Sequence, residues 1–130
     1  MFDRRLPPML CMLSNSAQTA LRDIHHHIDL AAAFASSFTS ATFKDDLRTV
    51  YAVTRCLEII SEASRRLPDD MRARHPGIAW KQMAGAGNVY RHDYEDVAAE
   101  FVWETVQRAL PPLKAVLERE RDRQPGAEYN

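Results

Sequence analysis

The sequence predicts an all-α protein, and three observations carry that prediction. Apolar residues recur at helical spacing in several long stretches, and only four Gly and seven Pro occur in 130 residues. Nowhere do apolar and polar residues alternate over four or more positions with β-branched enrichment, as a half-buried strand requires. A chain of this length suits one domain around one core, and a bundle of four or five helices is the expected packing.

The first helix is expected to open at Ser14 or Asn15, either of which can cap it, and to run to about Phe34 or Ser36. Leu21, Ile24, Ile28 and Ala31 supply its buried face. Residues 36–42 read as a polar linker. The second helix is expected to open near Phe43 or Lys44, with Asp45 and Asp46 in its first turn, where carboxylates suit the helix dipole. Its apolar face reads Leu47, Val50, Tyr51, Thr54 and Leu57, and it closes at Arg65 and Arg66 ahead of Pro68.

Residues 68–77 form a connector with room for one helical turn. A third, shorter helix starts near Ile78 and carries Trp80 and Met83 toward Arg91. Gly85 and Gly87 each weaken its middle by about 1 kcal/mol relative to Ala, so their presence needs another reason. The last helix starts near Asp96, with Phe101, Val102, Val106, Ala109, Leu110, Leu113, Val116 and Leu117 as its core stripe. Pro111 and Pro112 predict a kink or a short break in it. The expected layout is a flexible arm over 1–13, a helical domain over 14–118 and a charged tail over 119–130.

Composition narrows the function. With 45% hydrophobic and 27% charged residues, the chain is neither disordered nor a membrane protein by composition. No apolar run approaches the roughly 18 residues that span a bilayer. The patch at 9–13 behind Arg4 and Arg5 is too short for a secretory leader. Two Cys, Cys11 and Cys56, form neither a disulfide framework nor a CxxC pair, which fits a reducing, cytoplasmic compartment. The net charge of −1 argues against gripping duplex nucleic acid by bulk neutralisation. Fourteen of the 17 cations are Arg, whose planar fork still suits a local phosphate site.

The densest polar cluster is Asn88, Tyr90, Arg91, His92, Asp93 and Tyr94. If the third helix reaches His92, Asn88 lies four residues before it on the same face and can hold the imidazole in one tautomer. A His titrating near neutrality beside a cation suits acid–base cleavage of RNA: His takes the 2′-OH proton and Arg steadies the phosphorane. Taken singly, a His near a helix end is an ordinary half-exposed polar residue. His25, His26 and His27 point about 100° apart on a helix and cannot share a metal ion; His75 stands alone beside a Pro, so no metal site is expected. Arg48, Arg55 and Glu62 recur at seven-residue spacing with Glu58 near Arg55. Such a stripe reads either as a solvated face with intrahelical ion pairs or as Arg55 and Glu62 lining a cleft.

The second-helix stretch AVTRCLEIISEASRRL, then HPGIAWKQMAGAGNVYRHDYEDV, then FVWETVQRALPPLKAVL resemble the HepT-like branch of the HEPN superfamily, in order and spacing, over residues 21–117. The resemblance implies an all-α HEPN-type homodimer acting as a metal-independent endoribonuclease at the dimer cleft, with no cofactor. It also implies a toxin encoded beside a minimal nucleotidyltransferase antitoxin, which in some pairs attaches AMP to a Tyr. Against the family motif, Asn88, His92 and Tyr94 match the Asn, the catalytic His and the modifiable Tyr, and Glu62 matches an acidic residue near the cleft. The motif Arg does not match: Gly87 stands in its place. Arg91, Arg55 or a residue of a second chain is then the candidate cation. Two other readings remain open: a catalytically inactive relative binding RNA, a nucleotide or a nucleotidyltransferase, and a helical dimerisation module without a ligand.

Overall fold

Ser14 caps the first helix, α1 (Asn15–Ala35), its hydroxyl accepting from the Ala17 backbone N–H at 3.1 Å. The computed structural model describes residues 13–92 and 95–124, with side chains described outside 87–98. All regular structure among the described residues is helical, as expected. The expected face of α1 is the buried one, with Ile24 and Ala31 fully enclosed.

The next segment departs from expectation. Part of the expected linker is helical: α2 (Ser40–Asp45) is opened by Thr39, which forms a reciprocal capping box with Thr42. Asp46 then leaves helical geometry and caps α3 (Leu47–Ser64) by accepting from the Thr49 N–H at 3.4 Å. Asp46 is thus a cap rather than a first-turn residue, and two short capping devices split what reads as one helix. Phe43 anchors the corner in the core. It is fully buried, with its ring centroid 5.2 Å from that of Trp103.

On α3 the buried stripe is Val50, Val53, Leu57 and Ile60, spaced by three and four residues. Tyr51, expected on that stripe, is 60% exposed, and Leu47 is 43% exposed. Tyr51 follows Val50 and is rotated about 100° from it, onto the outer face. α1 packs chiefly on α3, and the two are tied at the rim by Arg66 and Asp23 at 3.3 Å.

The connector contains the expected helical turn, α4 (Asp69–Ala73). After it come α5 (Trp80–His92) and α6 (Glu95–Glu104). The chain then passes through a π-helical turn (Thr105–Ala109) into α7 (Leu110–Arg123). No break occurs at Pro111 and Pro112. In an α-helix their rings would press on the carbonyls four residues back, at Gln107 and Arg108. The wider π turn absorbs that conflict, with the Leu110 N–H reaching back five residues to the Thr105 carbonyl.

Of the expected last stripe, Val102, Val106, Leu110, Leu113, Val116 and Leu117 are buried, whereas Phe101 and Ala109 are exposed. Helix α7 runs past residue 118 to Arg123 and buries Glu120 completely, so the ordered helical unit reaches into the expected charged tail. At its far end the Gln124 side chain accepts from the Leu13 N–H at 3.0 Å. α7 also lies on α1, joined by His25–Glu118 at 2.9 Å and Lys114–Asp29 at 2.8 Å. The hydrogen bond from Lys114 holds the Asp29 carboxyl below the ordinary carboxylate range. That from His25 does the same for Glu118. Among the described residues no helix is long and apolar enough to cross a membrane.

Candidate functional site

The site is built from the placement of α5. Its start is anchored by an ionic cluster that the sequence does not reveal, since His75 stands alone beside a Pro in it. Glu120 of α7 accepts from Arg74 through both oxygens, at 2.7 and 3.1 Å, and from His75 Nε2 at 2.5 Å. Arg123 lies 3.6 Å away. Burial pushes the Glu120 carboxyl up, but the hydrogen bonds from Arg74 and His75 outweigh it and leave the group below its ordinary range. The next link is backbone: the His75 carbonyl accepts from Trp80 Nε1 at 3.0 Å, and Trp80 begins α5. Helix α7 therefore sets where α5 begins.

The middle of α5 is held by α3. The Ala84 carbonyl receives the Ser61 hydroxyl at 3.0 Å and the Arg65 guanidinium at 2.6 Å. Arg65 also pairs with Glu62 at 3.1 Å. Neither Ser61 nor Arg65 was singled out from the sequence. A readable signal was present in Ser61 and Ser64, two hydroxyls on the buried side of α3. A polar group there needs a partner, and Ser64 finds its own in the Ser61 carbonyl at 2.7 Å.

The helix reaches His92, so the backbones of Asn88, Arg91 and His92 belong to one helical run, with Asn88 and His92 one turn apart. Their side chains, and Tyr94 altogether, lie outside the described residues. Glu62 and Arg55, the two candidates on α3, are exposed and do not meet each other. Arg55 pairs with Glu58 at 3.3 Å, as the solvated-face reading expects, and Glu62 with Arg65. Glu62 nevertheless reaches α5 indirectly, since its Arg65 partner grips Ala84.

A groove of about 740 Å³ opens between α3, α5 and the π turn. Leu57 and Ile60 line it from α3, Met83 and Gly85 from α5, and Phe101 and Arg108 from the far side. Neither Arg55 nor Glu62 lines it. Among the described residues no three His, Cys, Asp or Glu converge as a metal site would need. Of the His run, His25 pairs with Glu118 and His27 Nδ1 sits 2.7 Å from the Asp23 carbonyl.

These features define an all-α bundle that presents one clamped helix, carrying Asn88 and His92, beside an apolar groove. Residues 24–120 match the family model described as "Ribonuclease HepT-like". The chain is 36% identical over 109 residues to "Probable ribonuclease HepT" of Thermococcus cleftensis, covering 84% of this chain and 99% of that protein. It is 34% identical over 99 residues to "Putative RNase MJ1216" of Methanocaldococcus jannaschii, covering 76% and 82%. A second protein of that organism, "Putative RNase MJ0125", is 34% identical over 99 residues, covering 76% and 85%. The chain belongs to the HepT-like ribonuclease family. No solved structure matches it significantly.

Proposed function

We propose that this chain is a cytoplasmic, metal-independent endoribonuclease, the toxin of a toxin–antitoxin pair, acting at a homodimer cleft and neutralised by a minimal nucleotidyltransferase. The observation that carries this reading is the run of α5 through Asn88 to His92, clamped to α3 at Ala84. His92 removes the proton of a ribose 2′-OH. The freed oxygen attacks phosphorus and closes a 2′,3′-cyclic phosphate, while the bond to the 5′-oxygen of the next nucleotide breaks and that oxygen takes a proton from water. A cation steadies the phosphorane, and Arg91 is its nearest candidate in sequence; Asn88 orients the imidazole. Glu62 and Arg55 are the further cleft candidates on α3, and Tyr94 is the acceptor if the partner attaches AMP.

The test is cleavage of single-stranded RNA by the purified chain, free of its partner, in EDTA. His92→Ala and Arg91→Ala are each expected to lower the rate on the order of 10² to 10³, with Tm shifted by no more than a degree or two. If Arg91→Ala is silent while Arg55→Ala is not, the cation comes from α3. Added AMP mass on the peptide containing Tyr94, after co-expression with the neighbouring nucleotidyltransferase, supports the pairing; mass at Tyr90 or Tyr129 overturns that assignment. One observation favours a second reading: Gly87 occupies the motif position of the Arg. A chain that binds RNA, a nucleotide or its partner without cutting RNA would bear that reading out.

A further inference from the structure

The groove beside α5 contains a feature that packing among the described residues does not account for. Gly85 lies in the interior of α5, where Gly weakens a helix, and a Cβ built on it meets nothing within 4 Å. Among the described residues no side chain demands the missing atom. What the missing Cβ does is keep the groove wall flat, since Gly85 and Ala86 both line it. The groove volume of about 740 Å³ lies in the range of small-ligand sites.

Its walls suit one class of occupant. Phe101, 38% exposed, offers an aromatic surface, and Met83 and Ile60 add apolar area. Gln82, on the same wall, carries an amide donor and an acceptor able to pair with a base edge. Arg108 stands at the rim, its side chain 82% exposed and paired with Glu104 at 2.8 Å, a surface bond that a phosphate can replace. Flat wall, aromatic ring, amide and exchangeable cation together match a nucleotide of single-stranded RNA, whose base stacks and whose phosphate needs a donor. Ala86 precedes His92 by six residues, about 9 Å along a helix, so the groove and His92 share one helix.

We infer that this groove is a base-binding subsite for the nucleotide flanking the cleaved phosphate, with Gly85 giving the base close approach and Phe101 its stacking surface. This rests on the ribonuclease reading above for the identity of the ligand.

The test uses the full chain carrying His92→Ala, which removes cutting, and a fluorescein-labelled single-stranded RNA followed by anisotropy. Gly85→Leu, which fills the groove, and Phe101→Leu, which keeps it apolar but removes the ring, are each expected to weaken binding at least tenfold. Both variants should keep the parent's circular dichroism spectrum and sedimentation coefficient. In the cutting chain, Phe101→Leu is expected to raise KM more than it lowers kcat and to change the base preferred beside the cut. Unchanged affinity in both variants, or a parent that binds no single-stranded RNA, overturns the subsite. So does Gly85→Leu converting a dimer to monomers without RNA, which would give the groove to a second copy. If the wild-type chain binds RNA through these residues yet never cuts it, the nuclease reading fails and the subsite stands.

Discussion

Ser61 donates a 3.0 Å hydrogen bond to the Ala84 carbonyl, so a hydroxyl of α3 fixes α5 one turn ahead of Asn88. Ser61→Ala should cost about 1 kcal/mol in urea unfolding, the usual net worth of such a bond. Arg65, reaching the same carbonyl, shares its task. The two substitutions together should therefore cost more than the sum of each alone, and the excess should appear as faster hydrogen exchange confined to α5. Exchange that rises evenly across the chain would show that these bonds do not hold α5 in particular.

Glu120 sits fully buried against Arg74 and His75. Glu120→Ala removes the buried carboxylate that Arg74 and His75 share, though Asp70 remains 3.7 Å from Arg74, and should cost about 2 kcal/mol, in the range of hydrogen bonds to charged groups. Glu120→Gln, which keeps shape and some hydrogen bonding, should cost less.

The same group gives the fold an acid limit. Its folded pKa is depressed, so its stabilisation is complete above the unfolded value of about 4.3 and fades as pH falls through the folded value. Asp29 and Glu118 shift in the same direction. Urea midpoints measured downward from pH 6 should fall for the wild type and fall less steeply for Glu120→Gln. Parallel curves would show that the carboxylate is not the titrating group.

The proposed homodimer needs a surface, and the outer face of α3 offers Leu47 and Tyr51 in line with Arg55, Glu58 and Glu62. Tyr51→Glu should leave monomer stability within about 0.5 kcal/mol, as exposed positions allow, while weakening self-association at least tenfold by sedimentation. A dimer indifferent to Tyr51→Glu and Leu47→Glu would place the contact elsewhere.

Cys56 is 4% exposed, and burial pushes its thiol up from its ordinary value. Both effects slow reaction, since the thiolate is the nucleophile. The peptide containing Cys56 should resist iodoacetamide in the native chain and label fully in urea. Native labelling as fast as in urea would mean that α3 opens on its own.

Much of the fold was legible because periodicity reports burial directly. The stripes of α1 and of α7 from Leu110 to Leu117 follow spacing alone. Tyr51 was misplaced because a large apolar residue next to a core position looks like core until its rotation is counted. The corner at Asp46 escaped because the caps supplied by Thr39 and Asp46 interrupt an otherwise continuous helical pattern. Pro111 and Pro112 announced a conflict but not its resolution, since a π turn has no composition of its own. At the site, the pattern carries the third helix only toward Arg91, and its run through His92 is what the structure adds. The Glu120 cluster was not legible, because contacts across about 45 residues carry no periodic signal.

The π turn at Thr105–Ala109 accommodates one more residue than an α-helical turn would hold. Side-chain changes within it leave that surplus intact, but removing one residue there would let the helix run regular. Everything downstream would then rotate by about 100° and shift by about 1.5 Å. Leu113, Leu117 and Glu120 would leave their partners together, while Phe101, upstream, stayed put. In this fold the chain's length between two points is itself under constraint. Relatives that vary freely in sequence across 105–109 are expected to keep the same residue count between Val102 and Leu113.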